Sequence, residues 1–229
     1  MERRVPWRDW IRTVEVEPSL YAADFARLGE QIEDLCRAGC RVFHFDVGDG
    51  HFVEPVTMGP IVLESIAPVV RRYAGIVDVH LMVDNPTHHF PQFAAAGADS
   101  VTFHFEAVDD VGATISAAHQ QELQAGVAFT PDTEPEDVAA VAGDADLVLC
   151  MSIYPGYSGQ PFREDTFGRI ARLRRALPDH VYIQVDGGVG PDNIRRLYDE
   201  GVRLLVAGAS IFQREDLPRA YRRLVQAMA

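Results

Sequence analysis

The sequence predicts an α/β fold, a single-domain (β/α)8 barrel of the TIM type, and three observations carry that prediction. Eight short apolar runs alternate with eight amphipathic stretches, and strand–helix units in that order wind a parallel sheet right-handedly into a barrel. Glycine recurs where an amphipathic stretch gives way to the next apolar run, at Gly39, Gly97, Gly143 and Gly201. There it can take the left-handed conformation that closes a helix. Finally, 229 residues with 47% hydrophobic content supply one large core, and no linker or low-complexity segment divides them.

The elements follow in order. Residues 1–12, carrying Trp7 and Trp10, are expected to form an N-terminal extension that packs across the barrel bottom or at a subunit contact. Residues 13–229 are expected to form the barrel. Strand-like Val14–Pro18 leads to an amphipathic stretch over Asp24–Ala38. Arg41–Val47 is apolar at alternate positions around His44 and Asp46, and it precedes the helical pattern Ile61–Tyr73. Ile76–Met82 with Thr87–Ala96 makes the third unit, and Ser100–Phe105 with Val111–Gln121 the fourth. In the fifth, Gln124–Phe129 precedes Pro135–Val141, whose Pro135-Glu136-Asp137 start suits the first turn of a helix. Leu147–Ile153 with Arg163–Leu177 and Val181–Val185 with Pro191–Glu200 come next. Leu204–Ala207 with Leu217–Met228 completes the set.

Composition excludes whole classes of function. Net charge is −13, which argues against a nucleic-acid partner. All 21 basic residues are arginine. Without lysine there is no Schiff-base aldol chemistry and no lysine acid or base, so carboxylates, histidines or a metal must do the work. No apolar run approaches the ~20 residues that span a bilayer, and Met1-Glu2-Arg3-Arg4 opens no apolar signal region. No membrane partner is therefore expected, and the cytoplasm is the expected compartment. Cys36, Cys40 and Cys150 read as buried thiols of a reducing environment.

Four polar residues stand at the C-terminal ends of apolar runs. They are His44 and Asp46 in His44-Phe45-Asp46, His80 in Asp78-Val79-His80-Leu81-Met82, and Asp186 in Val185-Asp186-Gly187-Gly188. In a parallel barrel those ends converge on the face where active sites are built, and strand alternation puts residues 44 and 46 on one side. Buried charges destabilise strongly unless paired or metal-bound. Together the four predict a centre for one divalent metal, with two carboxylates able to move protons. The loops after the sixth, seventh and eighth runs, Pro155–Gln160, Asp186–Gly190 and Ala207–Ser210, all contain glycine. Glycine lets backbone N–H groups approach an anion, which predicts a phosphate cup. His104 ends the fourth run and is a minor candidate for the pocket wall. His88, His89, His119, His180 and the arginines at 172, 174 and 175 read as solvated.

These segments carry a resemblance. From Pro18-Ser19-Leu20 almost to its end the chain resembles the ribulose-phosphate 3-epimerases, most specifically in His44–Val53, Asp78–Val83 and Pro155–Gln160. The resemblance implies a metal-dependent 3-epimerase interconverting D-ribulose 5-phosphate and D-xylulose 5-phosphate by two-base proton transfer through a cis-enediolate. It implies His44, Asp46, His80 and Asp186 as ligands of one divalent ion (zinc, iron, manganese or cobalt), with Asp46 as base and Asp186 as acid. It further implies that Ser19 and His80 bind substrate and that Met82 and Met151 cover the intermediate. The phosphate would lie among Gly156, Tyr157, Ser158, Gly159, Gly187, Gly188, Val189, Gly208 and Ala209. A ketose phosphate and further copies of the chain, in a homo-oligomer, are the implied partners.

The sequence departs from the family pattern at Gly48, where a covering Met is usual, at Ser158 for a glycine, at Ala209 for a serine, and at Tyr21-Ala22. An enlarged pocket at Gly48 and a weaker phosphate grip at Ala209 suggest an alternative, a 3-epimerase of another ketose phosphate such as D-allulose 6-phosphate. A metal-dependent aldolase and a non-catalytic sugar-phosphate binder are more distant alternatives.

Overall fold

The computed structural model describes residues 6–11 and 13–228. Its eight strands are β1 (Glu15–Pro18), β2 (Val42–Gly48), β3 (Ile76–Met82), β4 (Ser100–His104), β5 (Gln124–Phe129), β6 (Leu147–Met151), β7 (Tyr182–Asp186) and β8 (Leu204–Ala207). All pair in parallel in the order β1-β8-β7-β6-β5-β4-β3-β2. A parallel bridge between Ser19 and His44 joins the two remaining edges, so the sheet closes into the expected barrel. Its helices are α1 (Trp7–Trp10), α2 (Leu28–Arg37), α3 (Pro60–Arg72), α4 (Pro86–Ala96), α5 (Val111–Gln120), α6 (Pro135–Ala139), α7 (Thr166–Ala176), α8 (Ile194–Asp199), α9 (Ala209–Phe212) and α10 (Leu217–Ala227). Among the described residues no helix is long and apolar enough to cross a membrane.

Strand alternation divides the barrel into two environments. Outward residues such as Phe43, Phe45, Val79, Phe103 and Phe129 pack under the apolar faces of the helices in the main core. Inward residues have the opposite parity. At the bottom most are apolar: Val42, Ile76, Leu147 and Leu204 form a second cluster with Trp7. Trp7 is 2% exposed, and its backbone N–H donates to the Gln124 side chain at 3.3 Å. Arg41 lies 4.7 Å over the Trp10 ring. The two tryptophans of the extension therefore sit across the barrel bottom.

Local differences from the sequence reading have physical reasons. Asp24 caps a 3-10 turn, Phe25–Arg27, by accepting from the Ala26 N–H at 3.0 Å, so α2 begins only at Leu28. Phe105 leaves β4 for another 3-10 turn, Phe105–Ala107. Gly39, Gly97 and Gly201 have the positive φ expected of helix closers, but Gly143 does not. There α6 ends early, and turns donating from Ala142 to Val138 and from Ala145 to Ala142 carry the chain onward. Helix α7 holds a surprise in Arg169, which is buried. Its guanidinium donates to the carbonyls of Met151 and Thr130, each at 2.7 Å, and lies 4.6 Å over Phe129. It thereby ties the upper ends of β5 and β6 to the helix layer.

The packing of Trp7 makes a stability prediction. Trp7→Ala should lower the unfolding free energy by about 3 kcal/mol through the cavity it leaves. Urea denaturation measures this, and an unchanged midpoint would show that the extension adds nothing to the barrel.

Candidate active site

The inward positions of β1, β2, β3 and β7 change character above the apolar bottom. Glu17, His44, Asp78 and Gln184 form one layer, and Asp46, His80 and Asp186 follow one step higher. Register produces the layers: His44 pairs with Asp78, Asp46 with His80, and Met151 with Asp186. His44, Asp46, His80 and Asp186 each offer a ligand atom within 4.8 Å of one another. Since β2 and β7 are separated by β1 and β8 on the shorter way round, Asp46 and Asp186 reach the mouth from facing walls.

The lower layer holds the upper one. His44 Nδ1 donates to Asp78 at 3.0 Å, with Glu17 3.7 Å away. Ser100 donates to the other Asp78 oxygen at 2.5 Å. The Gln184 amide donates to Asp78 and Glu17, each at 2.8 Å. This fixes the His44 ring so that Nε2 points upward, 3.3 Å from Asp46 and without a hydrogen-bond partner. Ser19 donates to Asp46 at 2.6 Å. Asp78, Gln184 and Glu17 were not singled out from sequence. The one available signal was a carboxylate two residues before His80, on the same face of β3.

A second chain runs outward from Asp46. His80 Nδ1 lies 3.1 Å from Asp46, His80 Nε2 lies 2.9 Å from His104 Nε2, and His104 Nδ1 lies 3.2 Å from Glu106. Burial lowers the proton affinity of both imidazoles, His104 to about 4. Two neutral imidazoles bring two protons to three contacts, so one contact is left with facing lone pairs. A cation between His80 Nδ1 and Asp46 removes that conflict. The partnerless His44 Nε2, this proton deficit and the mixed N/O donor set all fit a divalent metal.

Electrostatics drives the two upper carboxylates apart. Burial disfavours the charge on Asp46, but the His44 and His80 rings outweigh it and hold the carboxyl well below its usual range. Asp186 is raised to about 7 by burial and by the charge of Asp46. Burial opposes charge on His44 too, yet the Asp46, Asp78 and Glu17 carboxylates raise its affinity for a proton. Glu17 is pushed up to about 8, mainly by burial.

Above the cluster lies a cavity of about 250 Å³. Ser19, Met82, Met151, Gly156, Tyr157, Ser158, Gly159, Gly187, Gly188, Val189, Gly208 and Ala209 all border it, as do Asp46 and Asp186. His80 does not: it is fully buried and lies behind Asp46, 3.1 Å from that carboxylate. His104 is equally buried, under Phe52, and is no part of the wall. The loop after β6 is held by Gln160, which donates to the carbonyls of Tyr154 and Tyr157. Ser152, unremarked in the sequence, donates to the Asp186 carbonyl at 2.8 Å and also to that of Gly187, fixing the end of β7.

Gly48 corrects an expectation. It does not border the cavity, so the missing side chain opens no extra room. A Cβ there would stand 2.6 Å from the Pro55 carbonyl and 3.0 Å from Val53. The loop after β2 occupies that space, anchored by Thr57, whose hydroxyl accepts from the Gly48 N–H at 2.7 Å and donates to the Asp46 carbonyl at 2.8 Å.

The closed barrel and its two opposed carboxylates define a class, a (β/α)8-barrel enzyme equipped for acid–base chemistry at the mouth. Sequence relatives give the family. The sequence model of the "Ribulose-phosphate 3 epimerase family" matches residues 15–212. The ribulose-phosphate 3-epimerase of Bacillus subtilis is 37% identical over 211 residues, 90% of this chain and 96% of that protein. That of Escherichia coli K12 is 38% identical over 219 residues, 93% of each chain. The chain belongs to the ribulose-phosphate 3-epimerase family and is an isomerase of carbohydrates. Solved structures at lower identity share the fold. A structure of KGPDC from Streptococcus mutans has a TM-score of 0.73 at 13% identity, covering 95% of this chain and 98% of that one. The 3-hexulose-6-phosphate synthase of Salmonella typhimurium has 0.71 at 14%, covering 93% and 98%.

The Glu17 environment makes a pH prediction for the metal-free protein. Below about pH 4.5 the carboxyl is protonated whether the chain is folded or unfolded. Between there and about 8 only the unfolded chain releases the proton, so stability falls as pH rises. Glu17→Gln should remove that loss, on the order of a few kcal/mol. Melting curves of both proteins from pH 5 to 8.5 test it, and parallel curves would contradict the burial argument.

Proposed function

We propose that the chain is a metal-dependent 3-epimerase of D-ribulose 5-phosphate and D-xylulose 5-phosphate. One observation carries the reading: Asp46 and Asp186 stand on facing strands at the floor of one cavity, and in the metal-free site burial and neighbouring charges push their proton affinities to opposite sides of the ordinary range. Inverting a carbon by proton transfer needs a base on one face and an acid on the other. Asp46, ionised and oriented by Ser19, takes the C3 proton. Asp186, on the facing wall, returns one to the opposite face.

His44, Asp46, His80 and Asp186 would hold the metal, which when bound supplies positive charge against the enediolate oxygens. Asp78 keeps the proton of His44 on Nδ1 and leaves Nε2 as a donor atom. The His104–Glu106 pair does the corresponding work for His80. Met82 and Met151, both buried on the cavity wall, exclude water from the carbanionic intermediate. The glycine loops at residues 156–159, 187–189 and 208–209 receive the phosphate on backbone amides. Because Gly48 opens no space, nothing at that position favours a six-carbon substrate over a five-carbon one.

Two outcomes are expected. In heavy water, the parent protein should convert D-ribulose 5-phosphate to its epimer with deuterium at C3. Asp186→Asn should lose epimerisation by about a thousandfold; because Asp186 is also a ligand position, metal content is measured alongside, and the metal-loaded variant should still exchange C3 of the starting ketose through Asp46. Parental epimerisation by that variant, followed by NMR, would sink the two-carboxylate mechanism. Separately, a chelator should abolish turnover, and Asp78→Asn should weaken the binding of added Co²⁺ or Zn²⁺ by about tenfold to a hundredfold. Unchanged metal affinity in a calorimetric titration would remove Asp78 from that role.

A further inference from the structure

One side chain on the cavity wall has no part in the chemistry above. Arg214, in the turn between α9 and α10, borders the same cavity as Asp46 and Asp186, and it is the one cation among the described lining residues. Its setting makes that charge matter. The chain carries a net charge of −13, and two carboxylates lie at the cavity floor. Arg163, Arg172, Arg195 and Arg196 are committed to carboxylate partners. Arg214 joins none of the ion pairs formed among the described residues, although Glu215 and Asp216 are its sequence neighbours.

The hydroxyls nearby sharpen the point. Ser210 lies on the wall but donates to the Val189 carbonyl at 2.8 Å, so its proton is spent inside the protein. Ala209 has no hydroxyl to offer. Ser158 does: its oxygen lies 3.4 Å from where a Cβ on Gly208 would stand, above the glycine of the third loop. Arg214 also forms part of the wall of an adjoining surface groove, in which Arg219, Arg222 and Arg223 stand beside Glu215 and Asp216. The two cavities meet at Ser210 and Arg214. Arg214 therefore stands where the cavity over the glycine loops opens into that groove.

We propose that Arg214 is a further substrate-binding residue, whose guanidinium pairs with the phosphate of the ketose at the rim of the glycine cup. The inference deepens the ketose-phosphate reading and rests on it. A planar guanidinium matches two oxygens of a phosphate at once. It adds a full charge where backbone amides supply only dipoles, and it selects dianionic ketoses over uncharged ones.

The test compares the parent with Arg214→Gln and Arg214→Glu, and with Arg219→Gln as a control in the adjoining groove. All three variants carry the change at exposed positions, so folding is checked simply by melting temperature. For D-ribulose 5-phosphate, Arg214→Gln should raise KM about tenfold with kcat within about twofold, and Arg214→Glu should raise KM further. Inorganic phosphate, titrated calorimetrically and as a competitive inhibitor, should bind Arg214→Gln weaker by the same factor. Arg219→Gln should match the parent in both. Phosphate affinity and KM that do not change in the Arg214 variants would overturn the proposal. If the parent fails to turn over D-ribulose 5-phosphate, the substrate reading fails, and the phosphate titration still decides the role of Arg214.

Discussion

The contact between His44 and Asp78 is the constraint on which the site depends. Both groups are fully buried inside the barrel, where an unpaired charge is strongly destabilising. Their hydrogen bond at 3.0 Å, supported by Ser100, Gln184 and Glu17, satisfies that requirement. It also points the free nitrogen of His44 toward Asp46. From there the remaining geometry follows: His44 and His80 hold Asp46 ionised, and the charge of Asp46 in turn raises Asp186. A stabilising contact two layers below the mouth thus decides which carboxylate keeps its proton above.

The barrel supports this arrangement by separating its two tasks. Outward side chains and the helices form an apolar core that carries the bulk of the stability. The bottom of the interior is sealed by a small apolar cluster under Trp7. Only with water excluded from below and from the sides can a stack of polar residues act on one another at short range with little screening. At the level of His44 and Asp46 the polar interior is consequently narrow: its residues come from β1 to β4 and β7, while β5 and β6 contribute Gly126, Ala128, Leu147 and Leu149 there.

The mouth is shaped by the chain between strands rather than by the strands. The loop after β2 fills the space beside Gly48, and Thr57 bonds it to the backbone on both sides of that strand end. The loop after β6 reaches across to it, where the Tyr157 hydroxyl donates to Glu54 at 3.0 Å. The resulting cavity is small and bounded by backbone on one side, methionines on another and Arg214 at its rim. Its size follows from how neighbouring loops pack, so one substituted residue does not predict it.

The sequence by itself determined the fold, because the barrel is written in local periodicity: alternation along β2 put His44 and Asp46 on one face, and glycines closed α2, α4 and α8. The motif around His44-Phe45-Asp46 and the strand-end positions of His80 and Asp186 were legible for the same reason. What sequence could not reveal were relationships across the barrel. That Asp78 and Gln184, 106 residues apart, share a hydrogen bond depends on strand register and closure. That Gly48 is filled by Pro55, or that a buried Arg169 ties two strand ends to a helix, depends on which loop packs where. Those choices were made only by the tertiary structure, because the energy of a buried polar group or a void is set by neighbours that the chain brings together from distant positions.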